Sequence, residues 1–178
     1  MTDISIRPAE VRDIPAITRI YAESVRHGTA SFEIEPPDEA EIARRFEALR
    51  AEGYPYLTAE LGGETVGFAY AGPYRARPGY RWTVEDSIYI APSAQRRGVG
   101  RVLLARLIVE TAAAGFRQMI AVIGDSANAG SIGVHTKTGF QMIGTHPAVG
   151  LKFGRWLDTV MMQRALGEGA TTLPADGK

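Results

Sequence analysis

The chain predicts a mixed α/β fold in which a β-meander precedes a strand, helix, strand, helix, strand section. Three observations carry this prediction. Apolar residues recur at helical spacing at Ile14, Ile17, Tyr21 and Val25, and again at Val99, Leu103, Leu107 and Ile108. Alternating apolar segments flank the Gly62-Gly63 pair, as in a hairpin. Finally, 178 residues, 45% of them hydrophobic and none of them Cys, suffice for a core without disulfides or a structural metal.

In chain order, a short strand over Ile4–Arg7 leads into a helix from Ile14 with Asp13 as its N-cap. A loop of active-site size follows that helix. Beyond Pro36 and Pro37, Asp38 with Glu41 three residues later forms a capping box, and Ile42, Phe46 and Leu49 mark the buried face of a second helix, ended by Gly53. Tyr56–Leu61 and Thr65–Ala71 make an antiparallel hairpin, and the loop Gly72–Gly79 leads to a long strand, Trp82–Ile90, stopped by Pro92. The remaining elements are a helix over Val99–Ala114, a buried strand over Met119–Ile123, a short helix over Asn128–Thr138 closed by Gly139, and strands over Phe140–Thr145 and Trp156–Met162. Residues 1–166 are expected to form one domain and 167–178 a flexible tail.

Charge excludes several classes. With 20 Lys plus Arg against 20 Asp plus Glu, nothing suggests a nucleic-acid surface. No apolar run approaches the roughly 18 residues needed to cross a bilayer, and Met1–Arg7 lacks a signal-peptide core, so a cytoplasmic protein without a membrane partner is expected. Absence of Cys removes thiol nucleophiles and Cys zinc sites, and His27, His135 and His146 show no ligand spacing, so no metal is expected. One stretch is locally basic. Pro73–Arg101 holds Arg75, Arg77, Arg81, Arg96, Arg97 and Arg101 against only Glu85 and Asp86, which reads either as a solvated face or as a site for small anions.

Gln95-Arg96-Arg97-Gly98-Val99-Gly100 lies between the strand ending at Ile90 and the helix opening near Val99. Glycines let a backbone approach a ligand, and the N–H groups of a first helical turn point outward with the positive end of the dipole behind them, an arrangement that suits pyrophosphate. A Walker loop requires Gly-Lys followed by Ser or Thr, and a dinucleotide fingerprint a third Gly where Leu103 stands, so both fail. A plain glycine turn entering a helix is the alternative.

Gln-Arg-Arg-Gly-Val-Gly after a strand ending in Ser-Ile-Tyr-Ile resembles the acetyl-CoA loop of the GNAT superfamily of N-acyltransferases. Thr83-Val84-Glu85, the segment from Asn128 to Phe140 and the string Lys152-Phe153-Gly154-Arg155-Trp156-Leu157-Asp158 resemble its phosphinothricin and methionine sulfoximine N-acetyltransferase branch. The similarity spans about residues 3 to 164, and the Lys152–Asp158 string is its most specific part. It implies a mostly antiparallel central sheet with helices on both faces, and acetyl-CoA wedged between two parallel strands that splay apart, Trp82–Ile90 and Met119–Ile123. Pantetheine would lie along Ile88, Tyr89 and Ile90, its pyrophosphate on Arg96, Arg97, Gly98, Val99, Gly100 and Arg101, with Asn128 holding the arm or serving as a helix N-cap.

Acetyl transfer to an amine requires removal of an ammonium proton and stabilisation of a departing thiolate. Glu85, among Trp82, Val84 and Ile88, is expected to be desolvated and so a better base; the alternative is an ion-pair partner of Arg75, Arg77 or Arg81. His135 stands where many relatives carry a Tyr that protonates the thiolate. It reads as that acid, as a second base, or as a packed side chain. Backbone N–H of Tyr89 or Ile90 is the candidate oxyanion donor. Arg75 and Arg77, with Ala76 between them, are placed to clamp a carboxylate near Glu85, Asp86 and Ser87, which suggests an amino acid or analogue as acceptor. Asp86 departs from the His usual in this branch. Phe32, Tyr74, Tyr80 and Trp82 are candidate apolar walls, and the Lys152–Asp158 string covers the site or meets a partner, the resembling enzymes being homodimers. Acetylation of another amine, such as a protein N-terminus or polyamine, and a non-catalytic CoA-binding domain are the competing functions.

Overall fold

A computed structural model describes residues 4–174 and contains a seven-stranded sheet in the order β1-β2-β3-β4-β5-β7-β6. The strands are β1 (Ile4–Pro8), β2 (Tyr56–Leu61), β3 (Glu64–Pro73), β4 (Thr83–Ile90), β5 (Gln118–Gly124), β6 (Gln141–Lys152) and β7 (Arg155–Ala165). The helices are α1 (Ile14–His27), α2 (Glu39–Ala51), α3 (Val99–Ala113) and α4 (Ala129–Lys137). Every strand pairing is antiparallel except β4 with β5. This is the mixed, mostly antiparallel architecture that the sequence implied.

Strand alternation divides the core into two layers. Val84, Leu103, Leu104, Leu107 and Met119 belong to the apolar cluster beneath α3 and α4, whereas Ile17, Val25, Phe46, Tyr56 and Phe68 form the cluster beneath α1 and α2. The spacing predicted for α1 and α3 holds because Ile14, Ile17, Tyr21 and Val25, and likewise Val99, Leu103, Leu107 and Ile108, are buried. In the β2–β3 hairpin, Gly62 and Gly63 adopt φ of 63° and 83°, values that a side chain would oppose. No helix among the described residues is long and apolar enough to cross a membrane.

Three local expectations change. Asp13 occupies the N-cap position of α1 without capping it; its carboxylate instead takes the two terminal guanidinium nitrogens of Arg7 at 2.7 Å and the Glu10 N–H at 2.8 Å. A bidentate cation outcompetes a single helix N–H. Asp38 accepts the Glu41 N–H at 2.8 Å, but Glu41 does not complete the capping box, because its carboxylate binds Arg44 and Arg45 at 2.7 Å. Lastly, β6 runs to Lys152 instead of ending near Thr145: its register with β7 shifts between Met142 and Gly144 and between His146 and Gly150, so irregularities take up Ile143 and the Pro147 stretch, which the edge of a sheet tolerates.

The segment expected to be a flexible tail starts with tethered residues. Arg117 donates to Gly169 O at 3.4 Å, Thr172 Oγ1 at 3.1 Å and Leu173 O at 3.5 Å, while residues 175–178 lie outside the described ones.

Candidate active site

The cleft begins where β4 and β5 stop pairing. Their register runs from Thr83 opposite Gln118 to Asp86 opposite Ala121, yet β4 continues to Ile90 and β5 to Gly124. Beyond the fork, Ser87, Ile88 and Tyr89 face Val122 and Ile123 across a cleft whose rim includes Ala30 and Asn128. On its other side β4 stays paired with β3 through Ile90. Ala91 N–H donates to Val66 O at 2.8 Å, which sets the parity of the ladder. By that alternation the N–H and C=O groups of Ser87 and Tyr89 serve β3, whereas those of Ile88 and Ile90 face the cleft. Tyr89 N–H is therefore committed to the sheet, and Ile90 retains the expected donor position.

At the cleft's outer end, Arg96 and Gly98 have φ of 59° and 86°. The loop they shape aims backbone amides outward. The first helical bond of α3, Val102 N–H to Gly98 O at 3.2 Å, leaves the N–H groups of Val99, Gly100 and Arg101 free at the helix N-terminus. Arg96, Arg97 and Arg101 are exposed and form no ion pair among the described residues. This is the chemistry a pyrophosphate demands: amide donors, a positive dipole end and uncommitted guanidinium groups. Asn128 caps α4, its Oδ1 accepting the Ser131 N–H at 3.1 Å, and its side chain also borders the cleft. The residues present therefore fit a CoA ester, which would lie along Ile88 and Ile90 with its pyrophosphate on residues 96–101.

Alternation also sorts the polar residues of β4. Glu85, Ser87 and Tyr89 face the α1/α2 layer, where Tyr89 packs on Tyr21 and Phe68 and Ser87 lies opposite Tyr70 in the β3–β4 register. Glu85 is half-buried, and this desolvation raises its carboxyl to about 7, with the Asp86 charge adding to the rise and Arg75 opposing it. Arg75 itself is exposed, stacked over the Tyr74 ring at 5.0 Å, and Ala76 and Arg77 beside it are exposed as well. Arg81 stacks on Trp82 at 5.4 Å. Asp86, expected next to the acceptor, instead points into the α3/α4 layer, where Oδ2 lies 3.0 Å from His135 Nε2. Glu85 and His135 thus stand on opposite faces of the sheet.

The Lys152–Asp158 string fastens the loops around the cleft. Lys152, 3% exposed, donates to Ser31 O at 2.7 Å. Arg155 donates to Asp125 at 2.8 Å, and Asp158 accepts Ser126 Oγ at 2.6 Å. The Phe32 ring lies over Gly150, where a Cβ would come within 2.3 Å of it. Sequence reasoning missed this seat for the α1–α2 loop; its traces are Gly150 and Gly124, both of which lie against Phe32, and nothing in a linear pattern pairs either with that ring.

A second cavity of about 260 Å³ lies beneath α2, lined by Tyr21, Ile42, Arg45, Leu49, Phe68 and Tyr70. Its lining includes none of the expected site residues. Among the described residues no group of His, Asp or Glu has the geometry of a metal site.

A fork in a parallel strand pair, followed by an amide-lined helix N-terminus, defines an enzyme of acyl transfer from CoA esters. Residues 15–140 match the Acetyltransferase (GNAT) family, and the chain belongs to that family as an acetyl-CoA-dependent N-acetyltransferase. It is 52% identical over 170 residues to a phosphinothricin N-acetyltransferase of Alcaligenes faecalis, covering 96% of this chain and 86% of that one. It is 42% identical over 167 residues to an L-methionine sulfoximine/L-methionine sulfone acetyltransferase of Salmonella typhimurium, covering 94% and 97%. The crystal structure of a phosphinothricin acetyltransferase from Sinorhizobium meliloti in complex with acetyl-CoA superposes with a TM-score of 0.95 at 48% identity, covering 99% of this chain and 95% of that one.

Proposed function

We propose that the acceptor is the amino group of a small amino acid or analogue, of the methionine sulfoximine, methionine sulfone or phosphinothricin type, with Glu85 as the base. The observation that carries this reading is a half-buried carboxylate held near 7 at the fork, next to exposed arginines. Acetyl-CoA supplies an activated acyl group; the chain's own residues do the rest. Arg75 and Arg77 hold the acceptor's carboxylate, and Glu85 takes a proton from its ammonium, directly or through one water. Ile90 N–H, preset by the β3 ladder, is the donor for the charge that develops on the acyl oxygen; as the new C–N bond forms and the C–S bond breaks, the second proton lost by the nitrogen reaches the departing CoA sulfur through water. The names of the relatives, at 42% and 52% identity, support this acceptor class.

Thiol release from acetyl-CoA is the test, run with methionine sulfoximine, methionine sulfone, phosphinothricin, spermidine and a peptide N-terminus. Release with the amino acid analogues and little with the others is expected. Turnover restricted to the peptide or to spermidine overturns the acceptor, and binding without turnover on any amine favours a non-catalytic domain.

The same reading includes a homodimer in the cytoplasm, where acetyl-CoA is at hand. β6 is an edge strand, and Val149, Leu151, Phe153 and Trp156 on the β6–β7 hairpin are 57% to 65% exposed, a cluster that solvent disfavours. Sedimentation of the wild type should give a dimer and of Trp156→Asp a monomer; a monomeric wild type at micromolar concentration removes the assembly.

A further inference from the structure

Asp86 and His135 are the most deeply placed pair of titratable side chains at the cleft, 6% and 2% exposed. Nε2 of the imidazole meets Asp86 Oδ2 at 3.0 Å, and Nδ1 meets Ser131 O at 2.7 Å. A carbonyl oxygen only accepts, so Nδ1 carries a hydrogen. In a neutral ring Nε2 would then be bare and would face a carboxylate oxygen, two acceptors in hydrogen-bond contact. With the ring protonated, both contacts become donor to acceptor. The other Asp86 oxygen, Oδ1, is buried and unpartnered among the described residues, so the imidazolium is the group that compensates the carboxylate. In agreement, burial lowers the His135 pKa, but the Asp86 hydrogen bond and charge, helped by the Ser131 carbonyl, overcome it and leave the value raised.

Among the described residues Glu85 is the one carboxylate whose charge is coupled to Asp86, and it lies across the sheet from the imidazole. Lys137 of α4, Arg101 of α3 and His146 of β6 are exposed. Arg164 of β7 lies against Gly139, and the ring edge of His135 abuts Phe140 with centroids 4.9 Å apart.

The pair's place in the fold gives it a task. Asp86 is the last β4 residue paired with β5, and His135 belongs to the helix whose cap, Asn128, borders the cleft. The bond between them therefore ties the branch point of the strands to the helix that carries the cleft's rim. Resting on the acetyltransferase reading above, we propose that Asp86 and His135 form a charged positioning pair that sets the fork and the seat of the acetyl-CoA arm, and that His135 does not pass its proton to the reacting atoms. Both of its nitrogens are already engaged away from the acceptor side, where Glu85 stands.

The experiment combines spectroscopy with kinetics on the full chain. Nitrogen-15 NMR of His135 in the wild type should show both ring nitrogens protonated at pH 7.5; one bare nitrogen overturns the charged pair. His135→Gln leaves the buried Asp86 carboxylate without its counter-charge, so the acetyl-CoA KM should rise about tenfold or more, while kcat at saturating acetyl-CoA keeps the shape of the wild-type pH profile. A fall in kcat of about a hundredfold with an unchanged KM for acetyl-CoA would identify a proton donor and overturn the proposal. Asp86→Ala should raise the acetyl-CoA KM by about tenfold or more while leaving the shape of the kcat pH profile intact; an unchanged KM also overturns it. Should Asp86→Ala not fold, Asp86→Asn retains an acceptor oxygen and a neutral version of the contact, and the same KM criterion applies. Calorimetry of acetyl-CoA with the wild type separates the two levels: absence of heat rejects the acetyltransferase reading, whereas the NMR result bears on the pair alone.

Discussion

Replacing Glu85 with Gln keeps the side chain's shape and removes its proton chemistry, so the two consequences of its burial can be read separately. A carboxyl with an ordinary value of 4.5 is held at about 7, first by desolvation and then by Asp86. The folded protein thus binds this proton more tightly than the unfolded chain, and stability falls as pH rises from 4.5 to about 7. Above that window the ionised group costs at most about 3 kcal/mol. Gln must still be desolvated, so the variant should gain about 1–2 kcal/mol at pH 8, a rise in Tm of roughly 3–6 °C. At pH 4 the gain should vanish. Turnover moves the other way: at saturating amine, kcat of the variant should drop by about a hundredfold or more, with acetyl-CoA affinity within about twofold of wild type. Wild-type kcat should itself rise about tenfold between pH 6 and pH 8, as the ionised fraction grows from about one-tenth to nine-tenths. Differential scanning fluorimetry and a thiol-release assay across that range measure both. Wild-type turnover by the variant at pH 7 would refute the base, and an equal Tm shift at pH 4 and pH 8 would refute the electrostatic reasoning.

Arg75→Ala should raise the KM for an amino acid acceptor by about tenfold while leaving the same compound without its carboxylate unaffected; equal effects on both would show that no carboxylate is clamped. Gly98→Ala forces a side chain into φ of 86°, at a cost of about 1–2 kcal/mol, and should weaken acetyl-CoA binding about tenfold without altering that of acetyl-pantetheine, which lacks the nucleotide diphosphate. Gly150→Ala pushes a methyl into the Phe32 ring, 2.3 Å away, and should raise the acceptor KM more than the acetyl-CoA KM because the α1–α2 loop loses its seat. Steady-state kinetics with both substrates varied would show an unaltered acceptor KM if that loop plays no part.

Much of the architecture was written in local patterns. Helical spacing in α1 and α3 and the glycine pair between β2 and β3 depend on neighbours within a few residues, and each element formed where its pattern lies. Polar side chains behaved differently. Asp13 and Glu41 both had a helix N–H within local reach, yet arginines took their carboxylates, because a charge-assisted bidentate contact exceeds one amide bond. For β6, Pro147 looks like a strand end after Thr145, and only the register with β7 shows the stretch between His146 and Gly150 taken up as an irregularity within one longer strand.

The sequence by itself determined the kind of site: a glycine turn with uncommitted arginines at a helix start, and a carboxylate on the strand before it. These rest on short-range geometry, which composition and spacing encode directly. Tertiary structure alone decided which side chains meet. Glu85 and Asp86 are adjacent in the chain but point into different layers, since successive strand residues face opposite sides of a sheet. His135 reaches Asp86 from 49 residues away, Lys152 reaches Ser31 from 121, and no local signal specifies either contact, because each depends on how a helix or hairpin packs against the finished sheet.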